Sequence, residues 1–223
     1  MALTLRSLLV LLLLALPLPL LAATVEGRAR VVDGDTLEVS GVKVRLFGVD
    51  APELDQQCQR GGQVWACGRA AREELAGIVG RKRLVCAVQD VDRYGRAVAV
   101  CEAGGEDIGA LMVRRGMSVA YLRYSARYGN AEAAARAEGL GLWASAYVQP
   151  EAYRQAGREQ AAGQVPPEGS CVIKGNIGAK GGRIYHLPGQ ADYTATRINE
   201  KKGERWFCSE AEARAAGFRR AAR

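Results

Sequence analysis

A chain of 223 residues with a formal charge of +7 is long enough for one or two domains and for a real core. Its apolar content of 48% is that of an ordinary globular protein, so a chain too polar to fold is excluded. The basic balance suits a polyanionic partner, but many soluble proteins are equally basic, and composition alone leaves the function open.

The first segment reads as targeting. Arg6 precedes a leucine-rich run from Leu8 to Leu21, short for a membrane span of about 20 apolar residues and broken by Pro17 and Pro19. A secretory signal peptide over residues 1–23, cleaved near Ala22 or Ala23, is expected. Leu21 fits the small-residue cleavage pattern poorly, which keeps a retained anchor as the alternative. Export predicts a secreted or periplasmic protein with no stable membrane association after cleavage.

The stretch from Val31 to Glu53, VVDGDTLEVSGVKVRLFGVDAPE, then reads as three strands with turns at Asp33-Gly34 and Ser40-Gly41 and a break at Asp50-Ala51-Pro52. It sets Asp33, Asp35, Arg45, Asp50 and Glu53 at strand ends and turns, where they can converge on one mouth. Carboxylates there could hold a metal, and an arginine could meet a phosphate. An Asp-Gly between apolar runs is by itself only a hairpin turn, so the rest of the chain has to decide.

Gly68–Val79 predicts an amphipathic helix, with Ala71, Leu75, Ile78 and Val79 on one face. Two apolar runs follow around Asp92-Arg93-Tyr94-Gly95. A two-residue loop there would put Cys86 directly opposite Cys101. Asp107 can cap a helix from Ile108 to Arg115, closed by Gly116. After a short apolar run, Met117–Leu122, Asn130 can cap a third helix that runs until Gly139 and Gly141, and Trp143 is expected to pack back on the core. Strands clustered early and helices late predict an α+β domain over 24–147. Residues 148–169 read as a linker, Gln-, Ala- and Arg-rich and able to be helical until Pro166-Pro167. A small domain, 170–223, follows, with glycine turns between short strands and a helix capped by Ser209.

The six cysteines form an even set in a chain with an export signal. Their positions predict three local disulfides: Cys58–Cys67, Cys86–Cys101 and Cys171–Cys208. Zinc is the competing reading, but there is no CxxC pair and His186 is the single histidine. Beside Pro188-Gly189, His186 reads as structural.

DGDT at Asp33–Thr36, VRLFGVDAPE at Val44–Glu53, DRYGRAVA at Asp92–Ala99, the stretch Leu111–Tyr121 and GLW at Gly141–Trp143 occur in this order. Together they resemble the thermonuclease family typified by staphylococcal nuclease, over residues 24–146. The resemblance implies a five-stranded OB-fold barrel with three helices. It makes Asp35, Asp50 and the carbonyl of Ala51 ligands of a calcium ion, with Asp33 outside them. The family often has threonine where Ala51 stands, and alanine keeps the carbonyl. Glu53 matches the general base, or a group that only orients the attacking water. Arg45 and Arg96 match two arginines that embrace the scissile phosphate. Tyr94 and Tyr121 match contacts to a base or sugar, whereas Tyr124 departs in spacing and is equally explained by packing. The expected activity is calcium-dependent cleavage of DNA and RNA with little sequence preference, leaving 3′-phosphates, by a monomer. The rival is an OB-fold module that binds nucleic acid, in DNA uptake or processing, without cleaving it. The C-terminal segment resembles the sunset domain, a small module of exported bacterial proteins.

Overall fold

A computed structural model describes residues 23–166, 169, 171–178 and 181–222. The expected signal peptide, up to residue 22, lies outside the described residues. Five strands make a closed barrel: β1 (Thr24–Val31), β2 (Thr36–Val39), β3 (Val42–Leu46), β4 (Arg83–Val91) and β5 (Ala97–Ala103). Antiparallel pairing runs β3-β2-β1-β4-β5, and a parallel β3–β5 ladder closes the ring. Period-two alternation points Leu37, Val39, Val44, Leu46, Leu84, Cys86, Ala99 and Cys101 inward, where all are buried. Ser40 (φ 48°) and Gly41 (φ 85°) make the two-residue turn between β2 and β3, both in the positive-φ region that such a hairpin requires.

Three helices pack on this barrel, as an α+β OB fold predicts. α1 (Cys67–Val79) buries the expected Ala71, Leu75, Ile78 and Val79. α2 (Ile108–Arg114) is capped by Asp107, whose side chain accepts from the Ala110 N–H at 3.0 Å. α3 (Gly129–Ala137) departs from expectation: Tyr128, not Asn130, occupies the N-cap position. The cause is tertiary. Tyr128 is buried, donates its hydroxyl to Asp107 at 3.0 Å and lies under Gly109, where a Cβ would meet that hydroxyl at 2.8 Å.

The β4–β5 hairpin also differs. Val91 pairs with Ala97, so the loop is Asp92–Arg96 rather than two residues, and the register shifts between Val88 and Asp90. That bulge compensates for the longer loop and still sets Cys86 opposite Cys101. All three expected disulfides are formed, and no cysteine is free among the described residues.

Within the stretch read as a linker, Pro150–Ala162 forms α4, with Pro150 in its first turn. Beyond it, β6 (Ile173–Ile177), β7 (Arg183–His186), β8 (Arg205–Phe207) and β9 (Arg219–Arg220) form a sheet in the order β8-β6-β7-β9. α5 (Glu210–Ala215), capped by Ser209 as expected, packs on it around Ile173, Tyr185, Phe207 and Phe218. No helix among the described residues is long and apolar enough to cross a membrane.

Candidate active site

The alternation that fills the barrel also builds the site. Val44 and Leu46 point inward, so Arg45 between them must point out, opposite Thr36 on β2 and beside Val98 on β5. Asp35 ends the turn before β2. Asp50 pairs with Val119 across a short ladder that pins the following loop, Ala51–Glu53. Gly68 holds that loop against α1: a Cβ there would lie 1.7 Å from the Glu53 carbonyl.

Arg45 uses its fork fully. Nη1 donates to Asp35 Oδ1 at 3.0 Å, and Nη2 lies 3.0 Å from both Asp35 Oδ2 and Asp50 Oδ1. Burial opposes the guanidinium charge, but Asp35 and Asp50 outweigh it and raise its pKa. Thr36 Oγ1 donates to Asp35 Oδ1 at 2.9 Å and accepts from Arg96 Nη1 at 3.4 Å, which joins the two arginines through one hydroxyl. Arg96 is braced by Asp92, at 2.7 Å from Nε. Burial alone would raise Asp92, but bonds from the Arg96 N–H and guanidinium and from the Tyr94 N–H hold its carboxyl below the ordinary value. Burial first, and the Asp35 carboxylate second, push Asp33 up to about 6.

These groups face a cleft of about 810 Å³ lined by Asp33, Asp35, Arg45, Ala51, Glu53, Tyr94, Arg96 and Tyr121, among others. Asp50 lies just behind them, 2% exposed. Tyr121 and Tyr124 stand 5.0 Å apart between ring centroids, and Tyr94, on the β4–β5 loop, lines the same cleft. A phosphate would find two guanidiniums here, and a nucleobase would find exposed tyrosine faces.

The donor set suits a hard divalent cation. Asp35, Asp50 and the Ala51 carbonyl offer only oxygen; Asp35, Asp50 and Glu53 are in direct contact with Arg45 or Arg154, and Asp33, which accepts from the Asp35 N–H, adds a further carboxylate beside them. Among the described residues, no three His, Cys, Asp or Glu side chains form a ready cage, so water would have to complete any coordination shell.

Residues 43–145 match the model of the staphylococcal nuclease homologue family. The micrococcal nuclease of Shigella flexneri is 35% identical over 58% of this chain and 79% of its own length. An uncharacterized endonuclease of Haemophilus influenzae is 34% identical, over 56% of this chain and 70% of its own length. The succinoglycan biosynthesis protein ExoI of Rhizobium meliloti is 35% identical, over 58% and 69%. The chain belongs to the staphylococcal nuclease homologue family. Its barrel gathers Asp33, Asp35, Glu53, Arg45 and Arg96 around one cleft. Residues 150–220 match a second family model, ArfC, which takes in α4, and the sunset resemblance is not confirmed.

Two residues of this nuclease site fall outside the sequence reading. Arg154 of α4 donates to Glu53 Oε1 at 3.0 Å and to Asp50 Oδ2 at 2.9 Å. Burial raises Glu53 above the ordinary glutamate value, and Arg154 opposes that shift without cancelling it. Gln56, 1% exposed, accepts from the Glu53 N–H at 3.2 Å and donates to the Val148 carbonyl at 2.7 Å. The spacing of Glu151, Arg154 and Arg158 on one face of a helix was the available signal for α4.

Proposed function

We propose that the protein is an exported, calcium-dependent endonuclease that hydrolyses phosphodiester bonds of DNA and RNA with low sequence specificity and leaves 3′-phosphates. The observation that carries this is the convergence of Arg45, Arg96, Glu53 and Asp35 on one cleft, with Asp50 bound to Arg45 just behind it. Arg45 and Arg96 bind the scissile phosphate and stabilise the charge that builds on its oxygens as water attacks. Glu53 orients that water and accepts its proton. Tyr94 and Tyr121 hold the flanking nucleotides, which favours single strands, whose bases are free to stack. Calcium, held by Asp35, Asp50 and the Ala51 carbonyl, would supply Lewis-acid polarisation of the phosphate. Three disulfides suit an oxidising compartment outside the cytosol, which supports export.

The test is digestion of heat-denatured DNA with calcium, with excess chelator, and by Arg45→Ala in calcium. Cleavage should require calcium, and the variant should lose roughly 10²–10³ in rate. Full activity in chelator removes Asp35 and Asp50 from metal binding. Wild-type protein that binds DNA but never cuts it makes the barrel a binding module.

A further inference from the structure

We propose that Arg154 is a positioning residue of the nuclease site, supplied from outside the barrel and held in place by the C-terminal unit through α4. The proposal rests on the roles given above to Asp50 and Glu53. Arg154 spans the two ends of the Asp50–Glu53 loop with one nitrogen on each carboxylate, at 2.9 and 3.0 Å. Asp50 then has Oδ1 on Arg45 and Oδ2 on Arg154, so its rotamer is fixed from both sides. Glu53 has more freedom to lose. Its side chain is 39% exposed, and a glutamate that can swing into solvent gives up rotamer entropy when it is held in one place. The planar Arg154 fork offsets that cost and aims Glu53 along the cleft.

The helix that carries Arg154 is anchored at both ends. Before it, Gln56 reaches from the Glu53 loop to the Val148 carbonyl, and Gln59 bridges to Ala146. At its end, the buried amine of Lys174 on β6 donates to the Ala161 carbonyl at 3.0 Å. Just beyond, Gln164 and Ile198 exchange two bonds, at 2.8 and 2.7 Å. The C-terminal unit therefore sets where α4 lies, and α4 sets where Arg154 lies. Arg154 lies past the nuclease-family match, which ends at residue 145, and within the second match, which begins at residue 150.

The experiment is steady-state cleavage of a single-stranded oligonucleotide by the full chain in calcium. It compares wild type with Arg154→Ala, Arg154→Lys, Glu53→Gln and the double variant Arg154→Ala/Glu53→Gln. Anisotropy of a labelled oligonucleotide without metal measures binding, and circular dichroism melts check folding. Arg154→Ala should lower kcat about 10–100-fold with KM within about threefold, since misplacement rather than binding is at stake. Lysine, unable to span both carboxylates, should rescue only in part. In the Glu53→Gln background the loss of Arg154 should cost clearly less than in wild type, since only the hold on Asp50 is left to lose, and metal-free binding should change less than about twofold.

A raised KM with unchanged kcat makes Arg154 a phosphate contact and overturns the proposal. A raised kcat makes it a latch that covers the site and overturns it equally. A full multiplicative loss on top of Glu53→Gln shows a merely structural role. If wild type cuts and Arg154→Ala cuts as fast, this proposal alone fails; an inert wild type brings down the nuclease reading and this proposal with it.

Discussion

Removing the Cys171–Cys208 bridge, by changing both residues to alanine, tests how the C-terminal unit stays folded. The bridge closes a loop of 37 residues. Chain-entropy reasoning for that length gives a stabilisation of about 4 kcal/mol. A folded unit of about 50 residues commands only roughly 2.5–7.5 kcal/mol in all, so most of its stability goes with the bridge. The bridges of the barrel close shorter loops, with separations of 9 and 15 residues, which by the same reasoning give about 2.5 and 3 kcal/mol. Cys86–Cys101 also stands in the larger barrel core, and Cys58–Cys67 packs with Val119 and Leu142. Calorimetry of the double variant should therefore resolve two transitions where the native protein should show one coupled transition. The C-terminal one should move down by roughly 15–30 °C while the barrel's barely moves. Hydrogen exchange should report the same event at α4, because Lys174, three residues from Cys171, holds the Ala161 carbonyl. A fall of less than about 1 kcal/mol in the C-terminal transition would refute the reasoning, for then Ile173, Tyr185, Phe207 and Phe218 sustain the unit alone.

Gln56→Ala leaves the half-buried Glu53 N–H without its acceptor and the Val148 carbonyl without its donor, a cost of about 1–2 kcal/mol. Urea unfolding measures it, and a loss under about 0.5 kcal/mol would mean that water replaces both bonds. His186 gives a pH signature. Burial, helped by Lys174 and opposed by Asp192, lowers its pKa below the ordinary 6.5. The folded state then binds fewer protons than the unfolded one, so the stability from neutral His186 is present above pH 6.5 and is lost as pH falls below it. Urea melts from pH 5 to 8 should show the C-terminal unit weakening on the acid side. His186→Gln should flatten that slope, and an unchanged slope would assign the acid loss to other groups.

Much of the fold was legible because local rules and packing agreed. Alternation in VKVRL assigns Val44 and Leu46 to the core and Arg45 to the surface, and the structure follows it. Asp107 and Ser209 cap the helices expected of them. Where the reading slipped, a distant contact had overridden a local signal. Asn130 has the better capping chemistry, yet Tyr128 sets the start of α3, because its ring fills the space that Gly109 leaves. The β4–β5 loop was read as too short because an added residue in a strand leaves no mark in an apolar run: Gln89 is one polar residue among many. Its pairing prediction survived because the bulge and the longer loop cancel.

Arg154 was illegible for a different reason. Sequence motifs describe a site along the chain, whereas 101 residues separate Arg154 from Glu53. Nothing in a Gln-, Ala- and Arg-rich helix announces which of its arginines meets a carboxylate. The chain of contacts that settles it runs from Cys171–Cys208 through Lys174 to Ala161, and from Glu53 through Gln56 to Val148. Each link is a buried or half-buried polar group whose partner would be costly to lose. Such groups tolerate little drift, so a shift of the C-terminal unit has to appear at Arg154. The segment that the sequence presents as an appendage is in this way part of the wall of the candidate cleft, which Glu151, Arg154 and Arg158 line.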